Sequence, residues 1–130
     1  MIVVDASVLA TALADDGSDG DRARSRLAGE TIASPELVDL EVTSVLRRAA
    51  LDGRLEARRS GQALDDLAAL PLRRAPHLPL LPRIWELRAN VTVYDAAYVA
   101  LAEALGIALL TADRRLAAAP GVRCDVELLR

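Results

Sequence analysis

Four acidic residues stand at or near the ends of apolar segments. Asp5 closes the run IVV, and Glu41 sits within an apolar helical pattern. Asp95 follows Thr92 at the head of a second helical pattern, and Asp113 lies just past the run IALLT. Carboxylates brought together repel, which raises some of their pKa values unless a cation neutralises them. Hard oxygen donors without a His or Cys cluster select Mg²⁺, with Mn²⁺ able to substitute. The only histidine, His77, sits between Pro76 and Pro79, and the only cysteine is Cys124, so zinc is poorly served. The chemistry such acids suit is hydrolysis at phosphate.

Taken singly, each acid also has a structural reading. Asp5 is placed to cap a helix beginning near Val8, and Asp113 to cap RRLAAA. Thr92 and Asp95 have the spacing of a capping box, with the acid near the favourable end of the helix dipole. Glu41 is less easily explained. At about 100° per residue, Leu37, Val45, Val38 and Val42 fall between about −40° and about 100° from it. It therefore lies within the arc of the apolar stripe, where a charge needs a partner. Arg48, seven residues on, and a bound cation both qualify.

The elements that would position these acids alternate in kind. IVV, TIA, LRRAP, IALLT and part of VRCDVELL read as short strands. SVLATALA, RARSRLAG, the stretch from about Leu55 to Leu70, PRIWELRAN and Thr92 to Leu105 read as helices, the last stopped by Gly106. SPELVDLEVTSVLRRAALDG is the clearest helix, with Ser34 as N-cap, Pro35 at the first helical position and Gly53 as stop. DDGSDGD, residues 15–21, reads as a loop. Short buried strands alternating with longer helices predict a parallel sheet covered on both faces, in one domain over residues 1–130. Ligands of such folds bind beyond the carboxyl ends of the strands, where Asp5 and Asp113 fall.

Composition narrows the function classes. The net charge is −3, so the chain as a whole is no basic glove for nucleic acid. All 16 basic residues are arginine, so phosphate contacts must come from guanidinium forks and a catalytic lysine is excluded. The aromatic residues are Trp85, Tyr94 and Tyr98. Both tyrosines are expected on one buried helix face, which leaves no platform for stacking bases. Charges interrupt every apolar run well short of the ~18–20 residues that span a bilayer. The start of the chain lacks the basic stretch of a signal peptide, and one cysteine forms no internal disulfide, so a cytoplasmic protein with no membrane partner is expected.

At these positions the sequence resembles the PIN domain, and within it the VapC toxins of bacterial toxin–antitoxin pairs. IVVDASV is similar to the family's opening strand with its first acid, here Asp5. SPELVDLEVTSVLRR resembles the helix carrying the family's glutamate, here Glu41. NVTVYDAAYVALAEALGIALLTAD resembles its most distinctive block, whose acids fall on Asp95 and Asp113. The resemblance covers essentially the whole chain and implies a three-layer α/β/α sandwich around a short parallel sheet. It also implies a Mg²⁺-dependent endoribonuclease, inhibition by a cognate VapB-type antitoxin, an RNA substrate and a homodimer.

On that reading Asp5, Asp95 and Asp113 hold the metal, and Glu41 orients water, acts as base or reaches the metal through water. Ser7, Asn90 and Thr111 are placed to steady a ligating carboxylate, and Arg114 and Arg115 to contact the RNA backbone; turn, cap and solvated-face roles remain open for them. Some family members carry another acid or amide shortly after the position of Asp113. Here Arg114, Arg115 and Leu116 follow, so one metal and two both fit. A receiver domain would need a lysine, and a haloacid-dehalogenase-type phosphatase an acid where Ser7 stands. The rivals that survive are a PIN nuclease outside a toxin pair, acting in RNA processing or on DNA, and a catalytically silent PIN-like binding module.

Overall fold

The computed structural model describes residues 1–130. Strand β1 (Ile2–Val4) leads into α1 (Ala6–Ala14) and α2 (Ser18–Leu27), and β2 (Ile32–Pro35) into α3 (Val38–Leu51) and α4 (Ala57–Ala69). After β3 (Arg73–Ala75) come a 3-10 turn over Leu78–Leu80, α5 (Leu81–Glu86) and α6 (Val93–Leu105). The chain ends with β4 (Leu109–Thr111), α7 (Arg114–Ala117) and β5 (Val126–Leu128). All five strands are parallel, in the order β3-β2-β1-β4-β5. Ile2 lies opposite Ile32, and Val4 opposite Leu110.

The chain steps outward from β1 to β3, then returns to lay β4 on the other side of β1. With right-handed crossovers, this reversal puts α1–α4 on one face and α5–α7 on the other. The three-layer α/β/α sandwich expected from the sequence is the architecture found. Helix α6 lies across β1, β2 and β4. Its residues Ala96–Ala102 are all buried, and four of the seven are alanine. A helix enclosed on every side must be apolar all round, and the small side chains let its axis approach the strands closely. Gly106 ends it in the left-handed region at φ 66°, a conformation glycine adopts without a Cβ penalty.

Three local expectations need correction. Ser34 and Pro35 belong to β2 rather than to the start of α3. The buried Ser34 hydroxyl donates to the Val4 carbonyl and so ties β2 to β1 instead of capping a helix. Helix α3 starts at Val38 with no side-chain cap of its own. One of its N-terminal amide groups, Leu37 N–H, donates instead to His77 Nε2 at 3.0 Å, from a residue 40 positions away. Such a partner satisfies an orphan donor that no neighbouring residue serves. Helix α2 begins at Ser18, inside the segment read as a loop, with Asp19 and Asp21 in the first turn where the helix dipole favours acids. Tyr98 is buried as expected, but Tyr94, one turn earlier in α6, is 64% exposed.

Candidate active site

The strand order reverses between β1 and β4, and open α/β sheets form a crevice beyond the carboxyl ends of the strands at such a point. Asp5 directly follows β1, and its N–H donates to the Leu110 carbonyl at 3.1 Å, so the pairing with β4 continues up to the acid itself. Asp113 follows β4 with only Ala112 between them. It caps α7, its Oδ1 accepting from Arg115 N–H at 2.9 Å. Asp95 stands in the first turn of α6, where Thr92 caps the helix by accepting from Asp95 N–H at 3.1 Å. Glu41 stands in the first turn of α3. The capping roles foreseen for Asp5 and Asp113 are therefore real. For Asp5 they coexist with burial at 6% exposure, which capping alone does not require.

The four acids feel one another's charge. Burial pushes the Asp5 carboxyl up; hydrogen bonds from Ser7, Thr111 and Val8 work against this, and the Asp113 charge adds to it. Asp95 is raised by burial and then by the charges of Asp113 and Asp5, with a Thr92 hydrogen bond opposing. Glu41 is raised by burial, then by Asp95 and Asp5, with its Tyr98 hydrogen bond opposing. No ion pair of the chain includes any of the four. As the side chains stand, no three acid, histidine or cysteine residues enclose a position for a metal ion. The fit to a divalent cation is therefore one of donor chemistry: several hard oxygens, repelling one another, with no arginine paired to them.

A polar lattice fixes Asp5. Ser7 Oγ donates to its Oδ1 at 2.6 Å, Val8 N–H donates to the same oxygen at 3.2 Å, and the Thr111 hydroxyl donates to Oδ2. Ser7 Oγ in turn accepts from Ala112 N–H at 3.3 Å, and Thr111 Oγ1 from Asp113 N–H at 3.0 Å. The start of α1 and the end of β4 are thus joined through one carboxylate. Asn90 is placed elsewhere. Its amide donates to the Pro120 carbonyl at 3.0 Å, so it braces the loop before β5 and touches none of the acids. Arg114 and Arg115 are exposed, and neither side chain is paired with an acid.

The partner of Glu41 differs from the one considered from sequence. Arg48 is exposed and makes no ion pair with it; instead Glu41 Oε1 accepts from the Tyr98 hydroxyl at 2.6 Å. The sequence marks Tyr98 as core and assigns no partner to its polar end. The spacing Asp95-x-x-Tyr98 was the available signal, because residues three apart in a helix share a face. Burial and the Glu41 hydrogen bond push the Tyr98 hydroxyl far above the usual phenol range, so it stays a donor.

Residues 2–122 match the family described as the PIN domain. The chain belongs to the PIN domain family. Ribonuclease VapC1 of Mycobacterium tuberculosis is 46% identical over 129 residues, covering 98% of this chain and 97% of that protein. Among solved structures, VapC20 of Mycobacterium tuberculosis, described as a toxin cleaving the sarcin-ricin loop, superposes with a TM-score of 0.73. It is 20% identical, with 95% of this chain and 97% of that chain covered. VapBC2 of Rickettsia felis, described as bound to a DNA fragment from its promoter, gives a TM-score of 0.70 at 16% identity, with 100% of both chains covered. At those identities the two structures speak for the fold. The VapC1 match carries the kinship to the VapC ribonucleases.

Proposed function

We propose that the chain, acting as a single PIN domain, is a VapC-type endoribonuclease toxin that hydrolyses RNA phosphodiesters and is neutralised by a VapB-type antitoxin. What supports this reading is that the charges of Asp5, Asp95 and Asp113 help push up the carboxyls of Asp5, Glu41 and Asp95 beside the β1/β4 crevice, and none of the four is paired with an arginine. VapC ribonucleases generally depend on a divalent metal, and the oxygen-only donor set favours Mg²⁺, with Mn²⁺ as substitute. Asp5, Asp95 and Asp113 would hold it. Bound there, the ion would acidify a water molecule and offset charge developing on the scissile phosphate.

The chain's own residues do the rest. Ser7 and Thr111 lock Asp5 in one rotamer, so its direction is set before any ligand arrives. Glu41, anchored on one oxygen, orients the attacking water and takes its proton. Arg114 and Arg115 offer guanidinium forks to backbone phosphates beside Asp113. An antitoxin that places an arginine among the carboxylates would satisfy several oxygens at once and exclude both metal and RNA. An exposed arginine pair contributes only about 0–1 kcal/mol, so the remaining affinity must come from an apolar segment of the antitoxin.

A homodimer is also part of this reading. It is supported by Leu81, Val93 and Tyr94, exposed side chains that line one apolar groove with Leu37 and Ile84. No helix is long and apolar enough to cross a membrane; a cytoplasmic site of action belongs to this reading. Expressing the chain with and without its antitoxin, and mapping new RNA 5′ ends, tests the function directly. New ends are expected only without the antitoxin, and purified protein should lose cleavage in EDTA. Cleavage undiminished in chelator would sink the metal-dependent reading. Absence of any cleavage with Mg²⁺ or Mn²⁺ would favour a silent binding module.

A further inference from the structure

We propose that Tyr98 is a positioning residue for cleavage: its hydroxyl clamps one oxygen of Glu41 and leaves the other free to face the attacking water. The inference rests on the ribonuclease reading above and assigns a role to a residue outside the acidic set. Glu41 projects from α3 on a flexible stem and is half-buried, and its side chain is held by the hydrogen bond from Tyr98, at 2.6 Å. It has no arginine to hold it. Tyr98 is the opposite kind of side chain. Its ring is 1% exposed, packed in the core on a helix that lies across three strands, and has few rotatable bonds.

The clamp joins two elements far apart in sequence. Glu41 and Tyr98 are 57 residues apart, on α3 and α6. Tyr98 lies three residues after Asp95, on the same helical face, so α6 carries one acid of the crevice and the anchor of another. A buried phenol suits this task better than a cation. It donates one directed hydrogen bond, adds no positive charge that would compete with a metal ion, and leaves the glutamate ionised and basic. Holding a general base within reach of water is worth a large rate factor, and small misplacements are costly.

The test uses the full-length protein with an RNA oligonucleotide under Mg²⁺, reading kcat and KM separately. Tyr98→Phe keeps the ring and removes the clamp. It is expected to lower kcat by about 10- to 100-fold while KM and the affinity for Mn²⁺, read by calorimetry, stay within about twofold. Combining it with Glu41→Gln should cost nothing beyond Glu41→Gln alone, because the clamp acts only through that carboxylate. As a second variant, Glu41→Asp keeps the acid but draws it back from Tyr98, and should lose kcat on the same scale. Wild-type kcat in Tyr98→Phe, or losses that multiply in the double variant, would overturn the proposal. So would a Tyr98→Phe chain that fails to fold together with a fully active Glu41→Asp. If Asp95→Asn and Glu41→Gln retain full activity, the ribonuclease site itself is misplaced, a failure distinct from that of the clamp.

Discussion

The two ends of α6 treat carboxylates in opposite ways. Near its C-terminus, Glu103 accepts from Arg83 at 2.7 Å and 3.2 Å and from Arg123 N–H at 2.9 Å. Burial works against ionisation there, but the Arg83 hydrogen bonds and charge outweigh it and hold Glu103 below the usual glutamate range. Near its N-terminus, Asp95 has no arginine; burial and the charges of Asp113 and Asp5 outweigh its Thr92 hydrogen bond, and its carboxyl is pushed up. One helix thus carries a carboxylate satisfied by the fold and a carboxylate left for something else to satisfy. A pairing partner was available to the fold, as 16 arginines attest, and it was not used in the crevice. That contrast separates structure from site better than burial does, since both acids are partly buried.

The largest effect follows from removing the unsatisfied acid. Asp95→Asn should reduce RNA cleavage by about 10³-fold or more while leaving metal-free thermal stability unchanged or higher, because it relieves repulsion in the crevice. Loss of stability with retained cleavage would mean that Asp95 is merely a cap. Glu103→Gln should do the reverse. It takes the nearer carboxylate charge from Arg83, whose side chain is 18% exposed and keeps only Glu86 and the Gly121 carbonyl, and should cost about 1–3 kcal/mol in denaturant unfolding with cleavage within about twofold.

These contrasts are partly legible in the sequence. Asp5, Asp95 and Asp113 announce themselves because each sits one or two residues from a strand end or helix start, and local spacing marks such boundaries well. The local signals failed where a distant residue decides. Ser34 and Pro35 look like a helix start, yet β1 claims the Ser34 hydroxyl and His77 supplies the amide partner instead. Arg48 lies seven residues from Glu41 and was the obvious companion, but the actual one comes from α6. Tyr94 and Tyr98 are one turn apart. The first nonetheless stands at the head of α6, where the helix no longer lies under cover, and it stays exposed. Periodicity identifies a face, and only the packing says how far along the helix that face is covered.

The pH dependence of metal-free stability should separate the two ends again, with a smaller effect. Asp5, Asp95 and Glu41 have folded pKa values raised above their ordinary 3.8, 3.8 and 4.5. Their contribution is fully present below those values and is lost as pH rises through the raised ones. Glu103 and Glu127 are lowered from 4.5, so their contribution is present above 4.5 and lost as pH falls through the lowered values. Thermal melts across pH should therefore show stability falling on both sides of a maximum. Asp95→Asn should flatten only the limb toward neutral pH, and Glu103→Gln only the acid limb. Saturating Mg²⁺ should lift the neutral limb in wild type and do so less in Asp95→Asn.

The smallest effect concerns the arginines that the crevice leaves unpaired. Arg114 and Arg115 stand directly after Asp113, exposed, and make no ion pair with it. If their charge served the fold, alanine at either position would change stability; a solvated guanidinium with no partner gives little reason for that. If it serves phosphate, the loss should appear in KM. Each exposed contact is worth about 0–1 kcal/mol, so Arg114→Ala and Arg115→Ala should each raise KM for an RNA oligonucleotide by up to about fivefold, with kcat and melting temperature unchanged. Each should also make the affinity less sensitive to salt, by close to one unit in the slope of log K against log salt concentration. An unchanged KM and salt slope in the double variant would assign both side chains to the solvated surface. The contrast along α6 would survive that result, because it depends on which acids lack a partner and not on where the RNA backbone lies.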